Sequence, residues 1–531
     1  MALINSRRDA LKAVGYTMSS MVISSAARAI GDAPSSPVVA TQYGRIAGYR
    51  DNGILVFKGI PYGGDTRHCR FQAPTLPESW TGIRDTQQFG AACPQLNAQE
   101  KTNEDCLLLN IWTPNLSEHA KRPVLVYIHG GEFSSGSGSD PLYDGTRLCS
   151  RGDVVVITIN HRLGVLGHLY LGLSDAEKFK SSGNAGLLDV VLALRWIKGH
   201  VHLFGGNADC VTLFGQSGGG AKIACLMAMP SAHGLFHRVM TMSGQQITVS
   251  GPRVATNRTH TFFKALQVSD FDVVSLLQQP VEKIIEASAV HDPALANRSL
   301  YFGPVLDDRT LHQHPFFPEA PLLSRNIPMI IGNTHDETRY FYARDDSVQN
   351  LDWNELRHRL TDAMYVDIDA DKVIAAYRQH YPTYTPSEIF FAASTAGRSW
   401  RGAIIEAELR AHQGAPAFVY QLDYQSPLDS GKWRACHTLD IPLVFNNIDA
   451  TGSKTGVDAR AQKVSMMMCD ALIQFAKTGN PNHVRMPRWS PYTLPHRGTM
   501  IFDVAPRLTN DPRSFERTLF AQVPYIQRGT Y

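Results

Sequence analysis

The fold of this chain follows from one stretch of sequence, Val211-Thr212-Leu213-Phe214-Gly215-Gln216-Ser217-Gly218-Gly219. Its first four residues are apolar or β-branched and predict a strand, and the residues after Gly219 favour a helix. Between them lies the pattern G-x-S-x-G, which is typical of a tight strand-to-helix turn that exposes a serine. The N–H groups and dipole of a helix starting there favour developing negative charge. Ser217 is therefore a candidate nucleophile.

The sequence around this turn alternates short apolar runs with helix-like segments. The runs do not alternate polar and apolar residues, so we expect both faces of the sheet to be covered. Strand and helix in alternation predict an α/β fold with a large, mostly parallel central sheet flanked by helices. The predicted strands are 124–128, 154–159, 211–214, 239–242, 327–331 and 418–422, and the predicted helices include 187–197, 281–288, 353–363, 403–412 and 463–477.

The domain organisation that we predict is one catalytic domain over residues 30–531. Residues 30–90 are rich in glycine, proline and short β-like runs, which predicts a small antiparallel lead-in. No internal repeat or low-complexity linker divides the remainder. We expect insertions within 250–410 to form a lid or cap.

The first 29 residues predict an export signal that is cleaved, of the twin-arginine type. Arg7 and Arg8 precede a mildly apolar stretch, and Ala27-Arg28-Ala29 fits a small-x-small cleavage site. The modest hydrophobicity of this stretch fits the twin-arginine route better than the general secretory route. The expected location is the periplasm or the outside of a bacterial cell.

Composition and charge exclude several classes of protein. The 531 residues carry 51 basic and 48 acidic side chains, a net charge of +3, which is too balanced to indicate a nucleic-acid partner. No run of 18 or more apolar residues occurs, so no membrane span is predicted. The eight cysteines form no C-x-x-C pair and no zinc spacing, so we expect no metal.

A serine nucleophile needs an oriented base, and in this fold the acid and then the histidine follow the serine along the chain. The predicted strand 327–331 runs into a segment that contains Asp336 and Glu337. Histidines near the strand 418–422 are His412 before it and His437 after it. Position alone leaves both pairs of alternatives open.

A site for a developing oxyanion is expected after an earlier strand. The run 124–128 ends in His129-Gly130-Gly131-Glu132-Phe133, where glycine lets backbone N–H groups approach a substrate carbonyl. Together with the N–H of Gly218, these groups can hold a tetrahedral oxyanion.

Several further motifs resemble those of one family. Glu104-Asp105-Cys106-Leu107-Leu108-Leu109-Asn110 resembles the E-D-C-L-x-L-N signature of type-B carboxylesterases, the cholinesterase-like α/β-hydrolases. The similarity runs from about residue 37 to about residue 520, and it also involves segments 57–62, 160–164, 183–189, 204–207 and 478–482. The resemblance implies an α/β-hydrolase fold.

The resemblance also implies a catalytic triad and a reaction. The family's nucleophile, acid and base correspond to Ser217, Glu337 and His437. The implied reaction is two-step acyl transfer from a carboxylic ester through an acyl-enzyme to water. Small-molecule esters and water are then the partners, and neither a metal nor an organic cofactor is expected.

Two further features are implied by the same resemblance. The family's oxyanion donors correspond to the N–H groups of Gly131, Glu132 and Gly218. Its first disulfide corresponds to Cys93–Cys106, which encloses a short polar loop. An oxidising compartment would suit that bond.

Three departures from the family pattern bear on specificity. Glu132 replaces the third glycine of the family's H-G-G-G, and Gln216 and Gly218 replace an acidic residue and an alanine beside the nucleophile. The loop 94–105 has no aromatic residue, whereas cholinesterases bind the quaternary ammonium on a tryptophan there. The expected enzyme is a bacterial general or xenobiotic-type carboxylesterase of the para-nitrobenzyl-esterase-like kind. Alternatives are a hydrolase of a bulky or polymeric ester and a non-catalytic cholinesterase-like binding protein.

Overall fold

The computed structural model describes residues 36–530 except 175, 296, 297, 365 and 528. The export signal predicted at 1–29 lies outside the described residues. From Pro37 onward the chain forms one compact unit.

Strands occur along the whole described chain. They are β1 Val38–Ala40, β2 Arg45–Ala47, β3 Tyr49–Asp51, β4 Ile54–Pro61, β5 Ile83–Asp85, β6 Leu108–Thr113, β7 Arg122–Ile128, β8 Val155–Ile159, β9 Gly206–Gln216, β10 Arg238–Met242, β11 Met329–Thr334, β12 Ala417–Leu422, β13 Gly498–Phe502 and β14 Arg507–Asn510. Each of the six strands predicted from the sequence is present, in β7 to β12.

Helices fill most of the connections between these strands. The α-helices are α1 Thr146–Gly152, α2 Gly164–His168, α3 Ala185–His200, α4 Gly218–Ala228, α5 Pro252–Leu266, α6 Val273–Leu277, α7 Val281–Ala287, α8 Arg339–Tyr342, α9 Asp346–Gln349, α10 Trp353–Ala363, α11 Ala370–His380, α12 Pro386–Thr395, α13 Arg401–His412, α14 Asp440–Phe445, α15 Ala459–Thr478 and α16 Ser514–Phe520. A π-helical segment, Ala396–Trp400, joins α12 to α13. In the described part of the chain, no helix has both the length and the apolar character that crossing a membrane requires.

The main sheet has 11 strands in the order β14-β13-β12-β11-β10-β9-β7-β8-β6-β4-β3. The pairs from β13 through β12, β11, β10, β9 and β7 to β8 are all parallel. The strands at the two edges of the sheet are antiparallel to their neighbours. The prediction of a mostly parallel sheet is confirmed, and the fold is the α/β-hydrolase fold.

Both faces of this sheet are buried, as strand β7 illustrates. Val124, Val126 and Ile128 belong to one hydrophobic cluster, whereas Leu125 and Tyr127 belong to a second cluster. Successive side chains of a strand point to opposite faces, so the continuous apolar run supplies both clusters at once. The carboxyl ends of the central strands consequently carry loops on one rigid edge, where ligands of open α/β sheets bind.

The N-terminal segment differs in part from its prediction. Strand β1 pairs with β2 in the antiparallel sense, but β5 pairs with β2 in the parallel sense. The prediction of an antiparallel lead-in is therefore wrong for the β2–β5 pair. Between these two strands the chain passes through β3 and β4 of the main sheet, and only such a long connection permits parallel pairing.

The structure does not contain the predicted disulfide, since Cys93 and Cys106 are both free thiols in it. They are buried in the larger hydrophobic cluster, and the Cys93 Sγ accepts a hydrogen bond of 3.3 Å from the Leu163 N–H. A hydrogen bond with Cys93, together with burial, raises the pKa of the Cys106 thiol. The two residues thus pack as small apolar side chains in this structure.

Candidate active site

Ser217 lies at the tight turn between β9 and α4. Its backbone has φ 55° and ψ −126°, a conformation that an ordinary L-residue adopts only under strain, at a cost of about 1–3 kcal/mol. The Ser217 N–H donates to the Met242 carbonyl, which fixes the turn against β10. A Cβ at Gly215 would lie 2.7 Å from the carbonyl carbon of Gly219, so the turn requires glycine there. The structure therefore has the strand–turn–helix arrangement that the sequence predicts.

Glu337 and His437 meet beside this turn. Glu337 follows β11 and His437 follows β12, and the Nδ1 of His437 lies 2.5 Å from the Oε2 of Glu337. The other carboxylate oxygen, Oε1, accepts a hydrogen bond of 2.9 Å from the Thr334 N–H. Both side chains are buried, with 1% of Glu337 and 6% of His437 exposed.

The alternatives that the sequence left open lie elsewhere. The carboxylate of Asp336 is 3.2 Å from the Nδ1 of His335 and 3.8 Å from the Nε of Arg339. His412 is the last residue of α13 and is not among the residues that line the cavity at Ser217. The geometry thus pairs Glu337, rather than Asp336, with His437.

The charge of Glu337 is set by two opposing effects. Burial by itself would raise the pKa of this carboxyl group. The neighbouring His437, together with the hydrogen bonds that the carboxylate accepts, outweighs burial and holds the pKa below its ordinary value. Glu337 is consequently a carboxylate at neutral pH.

A cavity of about 420 Å³ opens over these residues. Ser217, Glu337 and His437 all line it. Much of the remaining wall comes from two segments, the one between β10 and β11 and the one between β11 and β12. That wall includes Leu295, Arg298, Tyr301, Phe302, Phe341 and Arg398.

The loop after β7 lies against the start of α4. Gly131 and Glu132 both have left-handed backbone conformations, with φ 84° and 54°. A Cβ at Gly218 would lie only 2.1 Å from the carbonyl oxygen of Glu132, so this loop and the helix start are in direct contact. Glu132 and Gly218 thus line the same cavity as Ser217, and Gly131 immediately precedes Glu132 in the loop.

Comparisons with known proteins identify the family of this chain. Residues 35–518 match the model of the carboxylesterase family. The chain belongs to the carboxylesterase family. Over 495 residues it is 34% identical to the para-nitrobenzyl esterase of Bacillus subtilis, with 90% of this chain and 97% of that protein covered. This carboxylesterase is accordingly a serine carboxylic ester hydrolase.

Two solved structures are similar to this carboxylesterase over nearly their full length. The carboxylesterase EST55 of Geobacillus stearothermophilus superposes with a TM-score of 0.81 at 35% identity, covering 91% of this chain and 99% of that one. An esterase from Clostridium hathewayi that can hydrolyse aliphatic aromatic polyesters superposes with a TM-score of 0.77 at 30% identity. The superposition covers 92% of this chain and 99% of the Clostridium chain.

The structure of this carboxylesterase shows how Glu132 is accommodated where the family pattern has glycine. Its side chain is 47% exposed at the rim of the cavity, where one carboxylate oxygen lies 3.4 Å from the Nη1 of Arg298. Gly218, which lacks the methyl group of the family's alanine, leaves room for the Glu132 backbone. The two departures from the family pattern are therefore in contact and compatible with each other.

Two neighbours of His437 in this carboxylesterase could not be predicted from the sequence. The Nε2 of Gln216 lies 3.1 Å from the Nε2 of His437 and 3.3 Å from its Nδ1, although the two residues are 221 positions apart. The ring centroid of Phe341 lies 5.2 Å from that of the imidazole. The Arg398 guanidinium lies over the same phenyl ring, 4.1 Å from its centroid. No local motif marks either contact, because each joins segments that are distant in the sequence.

Proposed function

We propose that this carboxylesterase hydrolyses its substrates through an acyl-enzyme formed on Ser217, with His437 as the base and Glu337 as the orienting acid. The observation that carries the proposal is the 2.5 Å contact between His437 and Glu337 at the wall of the cavity that Ser217 also lines. A carboxylate on Nδ1 fixes the tautomer in which Nε2 is unprotonated and can accept a proton.

In the first half of the reaction, the Ser217 Oγ bonds to the ester carbonyl carbon as the His437 Nε2 takes its proton. Glu337 stabilises the imidazolium because the lowered pKa keeps it ionised. Collapse of the tetrahedral intermediate breaks the bond to the alkoxy oxygen, and His437 returns the proton to the leaving alcohol. Water then repeats these steps on the acyl-enzyme and releases the acid.

We assign the developing oxyanion to the N–H groups of Gly131, Glu132 and Gly218. The contact between the Glu132 backbone and Gly218 supports this assignment because it brings the two donor segments together. Donors held in place before the reaction stabilise the charge as it forms without further reorganisation.

The proposed substrates are small carboxylic esters of the general or xenobiotic type. A cavity of about 420 Å³ is in the range that holds a small organic molecule, and its wall mixes aromatic with charged side chains. The similarity to a para-nitrobenzyl esterase supports the same substrate class. Esters of bulky or polymeric acids are the second candidate, which the similarity to the polyester-hydrolysing esterase favours.

We also propose that the enzyme is exported to the periplasm or beyond. The support is the twin-arginine pattern at Arg7 and Arg8, followed by a small-x-small cleavage site. Expression in a bacterium should yield extracytoplasmic enzyme whose N-terminus is near Ile30. Replacing both arginines by lysine should retain it in the cytoplasm with the leader attached.

The acyl-enzyme is tested by rapid mixing with a series of para-nitrophenyl esters. We expect a burst of nitrophenol of about one equivalent per enzyme molecule when deacylation is slow. Mass spectrometry of the quenched enzyme should then find the acyl group on the peptide that carries Ser217. An acyl group on another residue, or turnover without any adduct on the slowest ester, would contradict the proposal.

Replacing Glu337 by glutamine tests which acid orients the base. Glu337→Gln should lower kcat by roughly 10³- to 10⁴-fold, because an amide favours the wrong tautomer of His437 and cannot stabilise its cation. The matched control is Asp336→Asn, which we expect to lower kcat by no more than roughly tenfold because Asp336 contacts His335 and Arg339. The reverse order of the two losses would reassign the acid to Asp336.

Adding one methyl group at Gly218 tests the oxyanion donors. In Gly218→Ala the new Cβ would collide with the Glu132 carbonyl, so the loop that carries Glu132 must move. Because this displaces oxyanion donors, kcat should fall by roughly 10²- to 10³-fold. Gly199→Ala on α3 is the control, since its Cβ would meet no atom within 4 Å. Equal kcat values for the two variants would contradict the assignment of the oxyanion donors, because displacing the loop would then have no effect on the reaction.

A further inference from the structure

Lys222 is a buried lysine beside the proposed oxyanion site. It lies one helical turn after Gly218 on α4, and only 1% of the residue is exposed. Its Nζ donates a hydrogen bond of 3.1 Å to the carbonyl of His129, the residue at which the β7 loop begins. The same Nζ lies 5.8 Å from the ring of Phe133, at the other end of that loop.

No described carboxylate forms an ion pair with Lys222. The salt bridges among the described residues do not include it, and the His129 carbonyl is the hydrogen-bond acceptor found for its ammonium group. A buried cation without a counter-ion is costly, so its presence calls for a compensating role.

The titratable groups that face Lys222 carry no compensating charge near neutral pH. Burial lowers the pKa of His129 and His168 to about 3 and that of His161 well below its ordinary value, so all three imidazoles are neutral. On α4 itself, burial raises the pKa of the Cys225 thiol. Glu406 of α13 faces Cys225, and burial raises its pKa to about 8.

Lys222 connects the two segments that carry the proposed oxyanion donors. Among the described hydrogen bonds, its bond to His129 is the one that joins a side chain of α4 to the loop 129–133. Gly218 belongs to the same helix, whereas Gly131 and Glu132 belong to the loop. A shift of either segment would change the spacing of the donors.

We propose that Lys222 is a positioning residue of the oxyanion hole, whose ammonium holds the loop 129–133 against α4 and adds positive charge behind the donors. The inference rests on the proposed function of the site. Negative charge on the carbonyl oxygen develops in the transition state, so Lys222 acts on kcat rather than on KM.

The charge of Lys222 depends on pH near neutrality. Burial lowers the pKa of its ammonium to about 7. Below that pH the residue is a cation and its contribution to kcat is complete, and above it the residue becomes a neutral amine and the contribution fades. The ratio of wild-type kcat to that of a neutral variant should therefore decrease as pH rises.

The test compares the full chain with Lys222→Met, which keeps most of the length of the side chain but removes its charge and its hydrogen bond to His129. With para-nitrophenyl butyrate, we expect kcat to fall by roughly 10- to 100-fold and KM to stay within about twofold. The inhibition constant of a trifluoromethyl ketone, which forms an oxyanion on the serine, should rise by a similar factor. The melting temperature should stay the same or rise, since an unpaired buried charge is lost.

Lys264→Met on α5 is the matched control and should leave every value unchanged.

The kcat ratio is then followed from about pH 6 to about pH 8, also in a Glu406→Gln background that removes the second titrating group. A ratio that falls with pH in both backgrounds supports the proposal. A ratio near one, or one that does not change with pH, overturns it. Lys222→Gln provides the same measurement if the methionine variant does not fold. Failure of the proposed function is distinct, because wild-type enzyme would then form no acyl adduct on Ser217.

Discussion

Ser217→Ala should abolish turnover, with kcat lower by on the order of 10⁵- to 10⁶-fold. Alanine removes the atom that bonds to the ester carbonyl, and no other hydroxyl can take its place at this turn. The residual rate above that of water, roughly 10³- to 10⁴-fold, would come from binding and the oxyanion donors alone. Steady-state hydrolysis of a short para-nitrophenyl ester, at enzyme concentrations high enough to detect slow turnover, measures the loss.

The same variant should fold as well as the wild type. The described hydrogen bonds of Ser217 involve its backbone, which alanine retains, and the strained φ of 55° is the same for both residues. Circular dichroism and the melting temperature verify this, and labelling by a fluorophosphonate should be lost. A Ser217→Ala enzyme that kept more than about one hundredth of the wild-type rate would contradict the assignment of the nucleophile.

His437→Gln should have an effect of the same order, roughly 10⁵- to 10⁶-fold on kcat. Without the imidazole, Ser217 must attack with its proton still in place, and no group returns a proton to the leaving alcohol. Acylation and deacylation both need the base, so the burst should disappear together with steady-state turnover. Stopped-flow measurement of nitrophenol release distinguishes the two phases.

His412→Gln is the matched control for this prediction. His412 ends α13 away from the residues that line the cavity, so its replacement should leave kcat within about twofold. A large loss in His412→Gln together with a small loss in His437→Gln would reverse the assignment. Loss of the burst in both variants, with a lowered melting temperature in each, would point to folding instead.

The predictions from sequence were most successful where the structure is determined locally. The strands β7 to β12 and the turn at Ser217 follow from continuous apolar runs and from glycines within a few residues of the serine. The choice of Glu337 over Asp336 depended on the family resemblance. The two carboxylates are adjacent in the sequence, and which of them faces His437 depends on the direction in which the chain leaves β11. That direction is fixed by contacts such as the one between the Thr334 N–H and Glu337.

Features determined by distant contacts could not be predicted. The approach of Gln216 to His437 and the parallel pairing of β2 with β5 each join segments whose patterns are uninformative by themselves. Similarly, the spacing of Cys93 and Cys106 is compatible with a disulfide, but the structure has two thiols within the hydrophobic cluster. The burial of Lys222 has no sequence signal, since a single lysine in a helix is usually solvated.

The order of strands in the sheet has a consequence for the recovery of activity after unfolding. Ser217, Glu337 and His437 follow β9, β11 and β12, and β10 and β11 lie between the first and last of these strands. Fragments ending before β12 lack the base altogether, whatever structure they reach. Regain of esterase turnover during refolding therefore records completion of these long-range strand pairings, which are the slow events in folding such a sheet. Spectroscopic probes of helix content should recover earlier.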